Sequence, residues 1–144
     1  MKLNNVIFPI WMLWLFPLVW LIIIPSNFII DSLILIISMK LLKINNKKSF
    51  YKKHIFKIFL FGMLSDIIGS LFLIIMFFGF NIGKMGDELY LTIPGIIVSS
   101  IMIFIFNYYI TFKKIEKKER MKLAIIYAIV TAPYTFLIPI SYMY

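Results

Sequence analysis

Four long apolar tracts, at residues 6–42, 55–82, 89–112 and 121–144, alternate with short charged stretches along the chain. A helix rises about 1.5 Å per residue and a hydrocarbon core is about 30 Å thick, so about 20 apolar residues make one crossing. Each of the last three tracts supplies one span. The first tract, about 37 residues, would extend roughly 55 Å as a helix, so it must tilt, lie partly in the interface or fold back. Pro25-Ser26-Asn27 offers a turn. Proline disfavours helical geometry at the residue before it, and Ser26 and Asn27 are good N-caps for a helix beginning at Phe28.

The pattern therefore predicts one all-α transmembrane domain over residues 1–144, an integral membrane bundle of five transmembrane helices. Their spans fall at about residues 5–24, 27–44, 55–80, 90–112 and 122–143, the first two forming a tight hairpin; four spans are the alternative. In the hairpin, Asp31 stands in the first turn of the second helix, an acid at the outer interface favoured by the helix dipole. In a single long helix it would lie deeper, at greater cost.

Composition agrees with the pattern. Of 144 residues, 62% are hydrophobic and only 15% charged, and the mean hydropathy is +0.99; a soluble domain needs about 25% charged residues to coat its core. The net charge of +9 changes the picture only through its placement. Lys40, Lys43, Lys47, Lys48, Lys52, Lys53 and Lys57 form one loop without an acid. Lys113, Lys114, Lys117, Lys118, Arg120 and Lys122 form another, against Glu116 and Glu119. By the positive-inside rule both loops are cytoplasmic at the cell membrane, the intervening loop with Lys84, Asp87 and Glu88 is outside, and five spans put the C-terminus outside. Lys47, Lys48, Lys52, Lys53, Lys113, Lys114, Lys117 and Lys118 are then placed to contact anionic lipid at about 1 kcal/mol each. Lysines held against headgroups are poorly placed for a duplex, so nucleic acid is not an expected partner. A secretory signal peptide over residues 1–30 is disfavoured by the length of the apolar stretch, its prolines and the lack of a small-residue cleavage site.

The absence of cysteine removes disulfides, thiolate metal sites and a cysteine nucleophile together. His54, the lone histidine, cannot build a multi-histidine site, so neither a metal nor another cofactor is expected. Asp66 carries the most weight. It lies roughly 13 Å beyond Lys57, near the bilayer centre, where a charge costs at least about 2.5–3.5 kcal/mol; the side chain is therefore neutral, paired or facing a wet cavity. Gly62, Ser65, Asp66, Gly69 and Ser70 share a helical face on which another helix can pack closely. Ser38, Ser99, Ser100 and Thr131 fall at similar depth in other spans. A polar layer of Asp66, Ser65, Ser99, Ser100 and Thr131 could hold an ion or solute, or could be ordinary interhelical bonding. Pro133 frees the carbonyl of Ile129 and, with Pro139, kinks the last span, while Pro94 is a tolerated first-turn proline. An aspartic dyad of Asp31 and Asp66 is rejected because their depths differ by roughly 10 Å. Gly83, Gly86 and Gly95 match no phosphate loop, and an enzyme is not expected.

The stretches Ile24-Pro25-Ser26-Asn27-Phe28 with Asp31, Phe61-Gly62 with Asp66-Ile67-Ile68-Gly69-Ser70, and Thr131-Ala132-Pro133-Tyr134 resemble a group of small multi-spanning membrane proteins of low-GC Gram-positive bacteria. The likeness covers most of the chain and implies a multi-pass fold without implying an activity. Two functions are left open. One is a non-enzymatic membrane protein acting through helix contacts, as an accessory, regulatory or immunity-type subunit. The other is a small transporter or channel for a proton-coupled or cationic solute using Asp66, assembled as a homo-oligomer or with a membrane partner because one bundle encloses little pore.

Overall fold

The computed structural model describes residues 17–80 and 92–134, with only the backbone of Val19. Among them the chain is all helical, with four helices and no strand. Helix α1 is Pro17–Leu41, α2 is Lys47–Ile74 extended by a π turn at Ile75–Gly79, α3 is Ile93–Phe106 extended by a π turn at Asn107–Thr111, and α4 is Lys117–Val130. Three helical stretches, Trp20–Leu41, Lys47–Gly79 and Ile93–Thr111, are long and apolar enough to cross a membrane.

Five helices with a leading hairpin do not form among the described residues. Helix α1 runs unbroken through Pro25, Ser26 and Asn27, so the parts of the first two expected spans that are described belong to one helix; residues 5–16 lie outside the described residues. The physical reason is the solvent. A turn at residue 25 would strand several backbone donors and acceptors where no water can reach them, whereas a proline inside the helix forfeits a single backbone bond. The actual turn comes after Leu41. Lys43 takes a left-handed conformation at φ 52°, and Lys43 N and Ile44 N donate to Lys40 O at 3.3 Å and Met39 O at 3.1 Å, closing the end of α1 as a Schellman motif with lysine where glycine is usual.

In the last expected span the α-helix stops partway along the apolar tract. Helix α4 ends at Val130, before Pro133, in keeping with the bias of residues before proline away from helical geometry; residues 135–143 of the expected span lie outside the described residues. The Ile129 carbonyl that Pro133 leaves without an N–H accepts from the Tyr134 hydroxyl. Pro139 lies outside the described residues. Pro94 does sit in the first turn of α3.

Helix α2 packs on both α1 and α3, and α3 also packs on α4. Helices α2 and α3 meet closely at Gly95, where a Cβ would fall 2.5 Å from Leu73 Cγ and Cδ1. Leu73 and Phe77 are buried there. Towards the other end a second cluster gathers Leu35, Ile58, Ile103, Phe112, Leu123 and Tyr127. The Phe112 ring lies 6.5 Å from Phe50 and 5.5 Å from His54, centroid to centroid, which puts the two lysine-rich loops side by side at one end of the bundle. His54 itself is buried, with Nδ1 donating to the Phe50 carbonyl at 2.8 Å.

Candidate functional site

The buried face of α2 is the small and polar stripe. Ser65, Asp66, Gly69 and Ser70 are buried and Gly62 is half-buried. Two of these hydroxyls turn back on their own helix: Ser65 Oγ donates to Phe61 O at 2.7 Å and Ser70 Oγ to Asp66 O at 2.9 Å. Such bonds satisfy a buried hydroxyl without reaching a neighbour. The helix presents Asp66 to α3, where Ser99 Oγ donates to Asp66 Oδ1 at 2.7 Å. Asp66 is 6% exposed and Ser99 fully buried.

The remaining candidates fall elsewhere. Ser100 Oγ donates to Ala128 O at 2.6 Å, tying α3 to α4. Thr131 Oγ1 donates to Tyr127 O at 2.6 Å, at the end of α4. Of the expected polar layer, the structure thus brings Asp66 and Ser99 into direct contact, while Ser65, Ser100 and Thr131 bond to backbone carbonyls. The lysines Lys47, Lys48, Lys52, Lys53, Lys113, Lys114, Lys117 and Lys118 are exposed around the paired loops.

Asp31 is where the expectation fails. It lies in the middle of α1, not in the first turn of a second helix, and is 5% exposed. Its carboxyl faces Gly62, one turn before Asp66 on α2: a Cβ on Gly62 would be 3.6 Å from Asp31 Oδ2. The acid on α1 thus lies against α2, within electrostatic reach of Asp66. The continuity of α1 removes the difference in depth on which the pairing had been rejected. Tyr127 of α4 fixes the same place from the other side, its hydroxyl donating to the Asp31 carbonyl at 3.0 Å. The Asp31 carboxyl itself forms no hydrogen bond among the described residues, and no lysine or arginine among them acts on either acid.

Two carboxylates close together in a medium of low dielectric repel strongly unless a proton or cation sits with them. The arrangement can therefore hold a small positive charge. Among the described residues, no group of three or more His, Cys, Asp or Glu side chains suited to a metal ion is formed.

The π turn at Asn107–Thr111 is not marked in the residue pattern; its first residue is fully buried with Nδ2 donating to Ile103 O at 3.0 Å. Arg120 closes over this turn, with its guanidinium 4.2 Å from the Tyr108 ring centroid and 3.1 Å from the Tyr108 hydroxyl.

No protein-family model, curated protein or solved structure matches this chain.

Proposed function

We propose that this chain is a small, non-enzymatic membrane transporter or channel subunit for a proton-coupled or cationic solute, with Asp66 and Asp31 as its ion-handling groups. One observation carries the reading: a buried carboxyl on α1, without a hydrogen bond among the described residues, set beside a second buried acid on α2. An intramembrane acid needs compensation, and a pair used only to join helices would be served better by amides, which bond without carrying charge. The basic loops lie on the cytoplasmic side of the cell membrane, against anionic lipid. Several copies, or a partner, enclose the path.

The Ser99 bond to Asp66 favours a second reading, a subunit that acts through helix contacts alone. Flux in reconstituted vesicles separates the two. Under a pH or alkali-cation gradient, wild type conducts, and Asp66→Asn and Asp31→Asn each abolish flux while the helical circular dichroism is kept. Absence of wild-type flux, with Asp66→Asn still folded, rejects transport in favour of the contact reading.

A further inference from the structure

A pair of hydroxyl groups, Tyr51 and Ser32, lies between the basic end of the bundle and Asp31. Tyr51 lies in the first turns of α2, half-buried, and its hydroxyl is 2.9 Å from Ser32 Oγ. Ser32 follows Asp31 on α1. Tyr127, buried, bonds to the Asp31 carbonyl, and both Asp31 and Tyr51 act electrostatically on it. Tyr51, Ser32, Tyr127 and Asp31 are therefore one polar cluster that begins near Lys47, Lys48 and Lys52, where the chain is exposed, and ends at Asp66 and Ser99. Among the described residues, the ionisable groups in electrostatic contact with Asp31 are Asp66 from α2 and Tyr127 from α4, with Tyr51 of α2 acting on Tyr127; α3 contributes the neutral Ser99 beside Asp66.

The dimensions of the pair select its occupant. Hard metal cations take about six oxygens or more, and two carboxyls with the Ser99 hydroxyl present fewer. A methyl on Gly62 would already touch Asp31 Oδ2 at 3.6 Å, so that side has no depth for a hydrated ion. A proton needs neither coordination shell nor hydration.

We infer that the ion held by Asp31 and Asp66 is a proton, exchanged with water at the basic end of the bundle through Tyr51 and Ser32. This deepens the transport reading and rests on its assignment of the two acids. A hydronium ion gives its proton to the Tyr51 oxygen as the Tyr51 proton passes to Ser32 Oγ. Ser32 in turn releases its own proton to the Asp31 carboxylate, directly or through one water. Each O–H bond broken is matched by one formed, the hydronium becomes water, the carboxylate becomes a carboxylic acid, and no electrons move. The acid then shares its proton with Asp66, which Ser99 holds in place. Tyr51 and Ser32 are relay residues and Tyr127 a positioning residue.

The test is a pH jump on the purified full chain in lipid nanodiscs, read by the infrared carboxylic-acid band. Wild type gains that band on acidification, and Asp31→Asn and Asp66→Asn each lose it. Tyr51→Phe keeps the ring and the final band intensity but slows its appearance by about tenfold or more, and Ser32→Ala does the same. Sodium and potassium chloride leave the band unchanged at matched ionic strength. Displacement of the band by sodium or potassium, an unchanged rate in both relay variants, or no carboxyl band in wild type overturns the proposal. A band with these kinetics but no vesicle flux sustains the proton site and defeats transport; flux without a titrating carboxyl does the reverse.

Discussion

Tyr127→Ala is expected to lower the unfolding free energy in detergent by about 3–5 kcal/mol, the range for removing a fully buried aromatic side chain. Tyr127 is 1% exposed, and its ring lies 6.2 Å from that of Phe112 within the cluster that also holds Leu35, Ile58 and Ile103. Its hydroxyl links α4 to the Asp31 carbonyl across the bundle. Tyr127→Phe separates the two contributions. It keeps the ring and gives up one hydrogen bond, worth about 0.5–1.5 kcal/mol, because the carbonyl remains within a continuous helix. Denaturant or thermal unfolding of the three proteins measures both steps. Equal losses for Ala and Phe would mean that the ring is not packed as described.

Gly95 is the second place where a small change has a large effect. Helix α3 approaches α2 so closely there that a single added carbon meets Leu73 Cγ at 2.5 Å, and Leu73 is fully buried. Gly95→Ala is expected to cost about 1–3 kcal/mol, and Gly95→Leu to force the two helices apart and prevent purification of a folded protein. Ile97→Leu, two residues on and 52% exposed, serves as the control and should leave stability within about 0.5 kcal/mol of wild type. A Gly95→Ala variant as stable as wild type would contradict the close approach.

The contrast between Gly95 and Asp66 shows what the chain makes legible. Asp66 and its neighbours at helical spacing mark a buried face because small and polar residues recur with the helix period, and that face is buried. The orphaned Ile129 carbonyl was equally readable, since a proline four residues on must leave it without an amide. Gly95 carries no such mark: one glycine in an apolar helix looks the same whether it faces lipid or a neighbour. The two π turns are likewise invisible in the residue pattern, because they shift the helix register without altering its hydrophobicity.

Asp31 was misplaced by a single local rule. Pro25 reads as a helix boundary by the chemistry that applies in water, where a freed backbone group finds a solvent partner. In an apolar surrounding the balance reverses, since one lost bond is cheaper than an open turn. Once α1 is continuous, Asp31 moves from a helix end to mid-helix and comes opposite Gly62, one turn from Asp66. The candidate site was thus half legible: Asp66 and Ser99 from depth alone, Asp31 and Tyr127 only from the three-dimensional arrangement.

The juxtaposition of Asp31 with Gly62, one turn from Asp66, is the claim on which the functional account depends, and the lack of native cysteines makes it directly measurable. A chain carrying Asp31→Cys and Gly62→Cys, treated in membranes with a short bifunctional thiol reagent, is expected to cross-link within the monomer in high yield. It should also show little reaction at position 31 with an impermeant thiol reagent from either side. Ile29→Cys with Gly62→Cys, where Ile29 is 57% exposed, should remain uncross-linked. Failure of the 31–62 pair to cross-link, together with ready labelling of position 31 from water, would place Asp31 at a helix end and contradict the carboxyl pair.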